Sequence, residues 1–264
     1  MLKVKKVVFP VLGMVILFSM SSYAESVEFT RLGQMLHRYI RNGLVDYQGI
    51  QKSTELFNQA LDQFQNVRDS DYKNWTRNEQ EAFWINAYNI TVVKTIIEHY
   101  PLQKALTWKA ILYPSNSIQQ IPNVWNRPAL EVFGEKVSLN HIEHEILRKE
   151  FQEPRIHFAL VCASLGCPVL RSEPYLADKL DLQLNDQISA FLADPKKFRY
   201  NPDADTLYLS PIFKWFKKDF EQVGGITSFL NVHLPGDVGK SISGKTKIKW
   251  LDYDWSLNER KGVT

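Results

Sequence analysis

One stretch of the chain, which begins at Thr76 and runs towards Pro101, constrains the fold more than any other. Thr76 is followed three residues later by Glu79, the spacing of a capping box that starts a helix. The helix continues through Ala82-Phe83-Trp84-Ile85-Asn86-Ala87-Tyr88-Asn89 and is apolar on nearly every face. A helix without a polar face is normally buried, so we expect the other elements to surround it.

Two amides interrupt this apolar stretch. Asn86 and Asn89 stand one helical turn apart, and a buried amide requires hydrogen-bond partners. The partners are either a ligand or a histidine, which the amides would orient, or a neighbouring loop, which is the commoner arrangement. Both asparagines are therefore candidate binding or positioning residues.

Helices and strands accompany this segment in a particular order. Apolar spacing predicts further helices over residues 28–42, 55–67, 141–150, 180–192 and 213–223. Strands are predicted as a hairpin at 132–137, a buried strand at 156–162, a pair at 198–200 and 206–209, and a final strand at 247–255. Because helices lead and short strands follow, we expect an α+β fold. It would be a single domain whose helix-rich N-terminal half packs on a small mixed or antiparallel sheet.

The first 24 residues have the layout of an export signal. Three lysines precede an apolar stretch of 14 residues, 7–20, and small residues lead to Ala24. A membrane-spanning helix needs about 20 apolar residues, so the stretch predicts a cleavable signal peptide, residues 1–24. We expect a periplasmic or secreted protein in which residues 25–264 form one globular domain, with no membrane span after cleavage.

The charge balance bears on the class of ligand. Cleavage removes three of the 32 lysines and arginines and none of the 29 acidic residues, so the mature chain is formally neutral. Nucleic-acid binding depends on clustered positive charge and is therefore not expected. Aromatic residues make up 12% of the chain, which fits a cleft for sugars or peptides as well as an ordinary core. We expect a small-molecule, peptide or glycan ligand and no cofactor.

The chain has two cysteines, Cys162 and Cys167, at the end of the predicted buried strand. In an oxidising compartment a close pair is most often a disulfide, and Gly166 would help the loop to bring the Cα atoms within about 4.4–6.8 Å. The alternative is that one of them is a nucleophile, presented by a loop at the strand end. Both interpretations stay open on the sequence alone.

A nucleophilic thiol needs a base, and two histidines are near in sequence. His157 would lie roughly 16 Å from Cys162 along a strand and on the opposite face, so we expect a hydrogen-bonded core histidine there. His144 is the better candidate because it lies at the margin of an apolar helix face, beside Glu143 and four residues before Arg148. The spacing His-x12-His followed by Cys-x4-Cys matches no common zinc motif, so a metal is not expected, although a metal-binding domain is a third interpretation.

With these residues the chain resembles an uncharacterised family, domain of unknown function 547, over nearly the whole mature sequence. Similar Cys-Ala-Ser-x-x-Cys-Pro segments in plant members that look cytosolic imply that the site survives reduction. The resemblance implies no activity. It is carried by Asp46-Tyr47, Ala82–Asn89, Ile142-Glu143-His144, Leu147-Arg148, Arg155–Leu160, Cys162-Ala163-Ser164, Cys167-Pro168, Leu209–Phe213 and Asp252–Trp255.

These observations lead to two functional hypotheses. The first is an exported hydrolase or acyl transferase with Cys162 as nucleophile, His144 as base and Asp254 as the acid that orients the imidazole. The second is a non-catalytic binding or envelope-structure module in which Cys162 and Cys167 form a disulfide. The residues expected to bind a ligand or to support the site in the first hypothesis are His157, Asn86, Asn89, Glu143, Arg148, Arg155 and Cys167.

Overall fold

The computed structural model describes residues 28–261, so the predicted signal peptide lies outside the described residues. The first part is a group of short helices around a two-stranded hairpin. The helix predicted over 28–42 ends at Tyr39, because the residues after it pair with Leu44 and Val45 across a turn at Asn42 and Gly43. The elements are α1 Thr30–Tyr39, β1 Ile40–Arg41, β2 Leu44–Val45, α2 Tyr47–Lys52, α3 Glu55–Gln65 and α4 Asp69–Tyr72.

The predicted central helix is α5, Arg77–Ile97, and its capping box is confirmed. The Thr76 hydroxyl accepts a hydrogen bond from the Glu79 backbone N–H, while the Glu79 carboxylate accepts one from the Thr76 N–H. Nearly every residue from Glu81 onwards is buried, as a helix that is apolar all round requires. This helix is the centre around which the N-terminal half packs.

The middle of the chain supplies a hairpin and an unusual helix. β3 (Pro128–Val132) pairs antiparallel with β4 (Glu135–Ser138) through a turn at Phe133 and Gly134, both with positive φ, which agrees with the predicted hairpin. A helix follows at His141–Phe151 as predicted, but it has π-helical geometry, which is rare and is frequently found at functional sites. It packs against α5.

The predicted strand at 156–162 is wrong. Residues Pro154–Phe158 form a 3₁₀ turn, and the chain continues to Cys162 without strand pairing. The prediction of burial was correct, but the backbone is satisfied differently. The Asn89 amide accepts a hydrogen bond from the Val161 N–H and donates one to the Ala159 carbonyl, so a side chain takes the place of a neighbouring strand.

The C-terminal part holds a small mixed sheet. β6 lies in its centre, antiparallel to β5 and parallel to β7, and β7 ends earlier than predicted. The helix predicted over 213–223 is broken at Phe216, whose ring stacks on His157. The elements are α6 Leu180–Leu192, β5 Phe198–Asn201, β6 Thr206–Leu209, α7 Ile212–Trp215, α8 Lys217–Glu221, α9 Gly225–His233, α10 Gly236–Ser241 and β7 Lys247–Trp250.

Two clusters of buried apolar side chains hold these elements together. The larger cluster surrounds α5, and the smaller one gathers α6, α7, α8 and α9 around Phe158 and Phe213. Helices with several small sheets in one chain confirm the predicted α+β fold. Within residues 28–261, every helix is too short or too polar to cross a bilayer.

Candidate functional site

A cavity of about 210 Å³ is lined by side chains from both apolar clusters, and we call it the His144 pocket. Its walls combine titratable and sulfur-containing groups with aromatic rings, the composition expected of a small-molecule site. The first group consists of Glu143, His144, His157, Cys162 and Cys167. The aromatic residues are Tyr88, Trp125, Trp215, Phe216, Tyr253 and Trp255.

The π-helix carries three polar residues of the site, Glu143, His144 and Arg148. Its apolar residues Ile142, Ile146 and Leu147 are buried, which leaves His144 half-buried at the margin of that face, as the sequence predicted. Arg148 lies four residues further on and donates a hydrogen bond from Nη1 to His144 Nδ1 over 2.8 Å. A guanidinium has no acceptor, so His144 Nδ1 is unprotonated and the ring proton of the neutral imidazole is on Nε2.

Asp219, on α8, links Arg148 to the second histidine. The Arg148 guanidinium donates to both Asp219 oxygens, at 2.6 and 2.9 Å, and His157 Nε2 donates to Oδ2 at 2.7 Å. Burial opposes ionisation of Asp219, but hydrogen bonds from His157 and Arg148 hold the pKa of this carboxyl well below its usual value. The result is a continuous chain of hydrogen bonds from His144 through Arg148 and Asp219 to His157.

The two histidines of this hydrogen-bond network, His144 and His157, are both held neutral. Burial, followed by the charge of Arg148, lowers the pKa of His144. Burial also lowers the pKa of His157, against the hydrogen bond to Asp219. His157 is 4% exposed and its ring stacks on Phe216 with centroids 3.8 Å apart, so it is the hydrogen-bonded core histidine that the sequence predicted.

Glu143 is the acid of the pocket. Its side chain is buried, and burial raises its pKa to about 7, against a hydrogen bond that the Tyr88 hydroxyl donates over 3.1 Å. A carboxyl with such a pKa exchanges a proton near neutral pH, as a general acid or base does. Glu143 and the neutral His144 are therefore neighbouring titratable groups in one cavity.

The two cysteines form a disulfide, with Cα atoms 6.0 Å apart. Cys162 Sγ accepts hydrogen bonds from the hydroxyls of Tyr253, at 3.0 Å, and Ser164, at 3.2 Å. Within residues 28–261 no hydrogen bond joins Cys162 to His144, although both line the pocket. Ala163 lies between Cys162 and Ser164 in the sequence and has a φ of 55°. This backbone conformation costs a non-glycine residue about 1 kcal/mol, and residues that adopt it are concentrated at functional sites.

The C-terminal segment after β7 holds the cysteine loop in place. The Gly166 N–H donates to the Asp254 carbonyl over 2.8 Å, and a Cβ at Gly166 would lie 3.0 Å from the Asp254 backbone, so a larger residue would press the two segments apart. The Leu165 N–H donates to the Ser256 carbonyl. These contacts bring Tyr253 against both sulfur atoms.

Comparison with known proteins assigns part of this chain to a family. A family model described as "Protein of unknown function, DUF547" matches residues 72–192. This segment belongs to the DUF547 family. It contains α5, the π-helix and both cysteines, whereas Asp219 and Tyr253 lie beyond its end. No curated protein and no solved structure matches the chain.

The two asparagines of the DUF547 segment connect α5 to neighbouring loops. The Asn86 side chain donates to the Tyr175 carbonyl over 2.8 Å and accepts from the Tyr175 N–H over 2.9 Å. Asn89 makes the equivalent pair of bonds to Ala159 and Val161, at 3.0 Å each. Neither amide lines the pocket. Asn89 fixes the segment that leads into Cys162, and Asn86 fixes the chain at Tyr175.

Two other predicted residues lie outside the pocket. Asp254 is exposed, accepts a hydrogen bond from the Ser256 N–H, and lines another cavity, of about 510 Å³, which shares Cys167 and Tyr253 with the His144 pocket. The carboxylate that contacts the histidine network is Asp219 instead. Arg155, in the DUF547 segment, pairs with Glu153 and Asp181 at another cavity.

Three groups that complete the site had no clear signal in the sequence. Asp219 lies in a run with two lysines, which is typical of a solvated helix face, and it becomes a partner of Arg148 only through the tertiary fold. Tyr88 lies in the DUF547 segment and Tyr253 beyond it, and neither could be distinguished from a core aromatic residue in the sequence. No three metal-ligating side chains are grouped together anywhere in residues 28–261.

Proposed function

We propose that the protein is an exported thiol-dependent enzyme of the hydrolase or acyl-transferase type, acting at the His144 pocket. The observation that carries the proposal is the convergence of Cys162, His144 and Glu143 on one cavity. A nucleophile, a neutral imidazole and a carboxyl with a pKa of about 7 are the groups that acyl transfer requires. The aromatic walls suit a small-molecule, peptide or glycan substrate.

In this proposal the disulfide is the resting form, and reduction releases the nucleophile. His144 Nδ1 gives up the hydrogen bond from Arg148 and takes the proton of the Cys162 thiol, and the thiolate attacks an acyl carbon to form a thioester. Hydrogen bonds from Tyr253 and Ser164 favour the thiolate over the thiol. The leaving group takes a proton from His144 or Glu143, and water or another acceptor then releases the acyl group.

The test uses an activated ester and reduced protein. We expect p-nitrophenyl acetate to acetylate Cys162, located by peptide mass spectrometry, and Cys162→Ser to abolish this product. His144→Ala should slow acylation about a hundredfold, since a positioned base contributes 10²–10⁴-fold. His141→Ala, an exposed residue on the same helix, is the matched control and should have no effect. Acetylation confined to lysines, or equal rates for the two histidine variants, would overturn the proposal.

A second candidate function is supported by the disulfide itself. A non-catalytic binding or envelope-structure module would keep the Cys162–Cys167 bond permanently and use the pocket for a ligand. The complete pairing of Arg148, Asp219 and His157 is compatible with a purely structural network. In this case the disulfide would resist reductant in the native protein, and no acyl product would form on Cys162.

A further inference from the structure

We propose that the Cys162–Cys167 pair carries out thiol–disulfide exchange with thiols that enter the His144 pocket, with Cys162 as the sulfur attacked and Cys167 as the sulfur that leaves. This activity is separate from the acyl transfer proposed above, because it uses the oxidised form and requires neither His144 nor Glu143. It rests on an asymmetry between the two sulfur atoms in their exposure and in their hydrogen bonds.

The first part of the asymmetry is access. Cys162 is half-buried, whereas Cys167 is 4% exposed, and both line the pocket. A thiolate that enters the cavity from solvent therefore reaches Cys162 more readily. In exchange reactions the sulfur that is attacked and the sulfur that leaves are different atoms, and access selects the first of them.

The second part is stabilisation of the leaving group. Cys167 Sγ accepts a hydrogen bond from the Cys162 backbone N–H over 2.8 Å and another from the Tyr253 hydroxyl over 3.1 Å. The Tyr253 hydroxyl also lies 3.0 Å from Cys162 Sγ, so its one proton can serve either sulfur, whereas the backbone N–H of Cys162 donates to Cys167. When the disulfide breaks, the backbone N–H and the Tyr253 hydroxyl would both stabilise the thiolate that forms on Cys167, and a better leaving group leaves faster.

The reaction consumes a dithiol or two monothiols. The first thiolate attacks Cys162 Sγ, a new S–S bond forms, and the Cys162–Cys167 bond breaks with its electron pair on Cys167. A second thiolate of the substrate then attacks the substrate sulfur of this mixed disulfide and releases the Cys162 thiolate. The substrate is oxidised to a disulfide, and the protein gains two electrons and, after protonation, two protons.

The aromatic walls of the His144 pocket indicate which substrate thiols it would accept. Trp215, Tyr253 and Trp255 form one aromatic face, with the Trp215 and Tyr253 rings 4.8 Å apart and the Trp215 and Trp255 rings 5.9 Å apart. Trp215 is 48% exposed, so part of this face is open to solvent. It suits thiols attached to apolar or aromatic groups, such as cysteine in an aromatic peptide, better than small anionic thiols.

The first experiment measures leaving-group stabilisation. The oxidised protein is mixed with dithiothreitol, and the free thiols are alkylated at intervals and counted by mass. Tyr253→Phe removes the hydroxyl but keeps the ring, and we expect it to slow reduction about fivefold, the value of one hydrogen bond. Tyr200→Phe, which loses a hydroxyl bonded to Asp205 at a distant site, should reduce at the native rate. Equal rates for Tyr253→Phe and the native protein would overturn the stabilisation of the leaving sulfur by this hydroxyl.

The second experiment determines which sulfur is attacked and separates this proposal from acyl transfer. Glutathione disulfide is added to Cys167→Ser, which keeps Cys162, and to Cys162→Ser, which keeps Cys167. We expect the mixed disulfide to form at least tenfold faster on Cys162. The same Cys167→Ser protein should still be acetylated by p-nitrophenyl acetate, so loss of acylation with exchange intact contradicts only the enzyme proposal. Faster reaction at Cys167, or a native disulfide that reduces only in denaturant, contradicts the exchange proposal.

Discussion

Asp219 shows how one side chain determines the state of several others. It fixes the Arg148 guanidinium by two hydrogen bonds, and Arg148 in turn fixes the tautomer of His144. The same carboxylate holds His157. A charge pair this close to the interior costs desolvation, and hydrogen bonds on both oxygens offset that cost. The position of the candidate base therefore depends on a residue 75 positions away in the sequence.

Glu143 gives a testable pH dependence. Its folded pKa of about 7 lies above the usual value of 4.5, so the unfolded chain loses this proton first as pH rises. Stability from this group is complete below about pH 4.5 and is lost between there and pH 7, by about 3 kcal/mol at most. Glu143→Gln lacks this titration and should not show the loss. The difference in free energy of unfolding between the variant and the native protein, measured with urea, should therefore shift in favour of the variant between pH 4 and pH 8.

A matched change on the same helix controls for the surface charge. Glu145 is exposed and paired with Lys149, so Glu145→Gln removes one acidic charge from the same helix without changing the buried pocket. If Glu143→Gln and the native protein lose stability in parallel between pH 4 and pH 8, then Glu143 does not carry the raised pKa.

For single residues, the sequence indicated which side chains are candidates for the site better than it indicated which side chains they contact. Cys162, His144 and Glu143 were found because sulfur, imidazole and carboxyl groups stood close together in a segment with a clear helical pattern. Asp254 was predicted instead of Asp219 because either carboxylate could have met an imidazole. The pattern of one helix contains no information about which distant acid its exposed face will contact. The tertiary structure is needed to distinguish Asp219 from Asp254.

Among the described elements, α5 has the most buried residues, and side-chain hydrogen bonds determine where it starts. The capping box at Thr76 satisfies backbone donors that have no partner inside the helix. Thr76→Ala should lower the free energy of unfolding by about 1 kcal/mol, measured by chemical denaturation.

The control for this change lies at another helix. Thr54 precedes α3 in the same way, but its side chain makes no capping hydrogen bond. Thr54→Ala should therefore change stability by less than about 0.5 kcal/mol. Equal losses at both threonines would mean that intrinsic propensity, and not the capping box, sets the cost.

Predictions for elements succeeded where the pattern was local. The capping box, the hairpin turn and the helix at 180–192 depend on neighbours a few residues apart, and all three are confirmed. The strand predicted at 156–162 failed because Asn89, from α5, bonds to its backbone. An apolar run shows that a segment is buried but not which group satisfies its N–H and carbonyl groups.

For the whole molecule, the proposal of export has a direct test. The full-length chain should be processed after Ala24 when it is expressed in a bacterial host with an active export system, because a basic start and a short apolar stretch direct cleavage there. N-terminal sequencing of the periplasmic fraction should begin at Glu25. Recovery of full-length protein from the cytoplasm, with its first residues intact, would contradict export.

The mixed origin of the pocket walls has a practical consequence for finding its natural occupant. Tyr88 belongs to one apolar cluster and Ile212 to the other, and both face the same cavity. A molecule seated there would tether the two halves of the protein and oppose their separation on heating. A rise in melting temperature would therefore report occupancy across a compound library before any reaction is known.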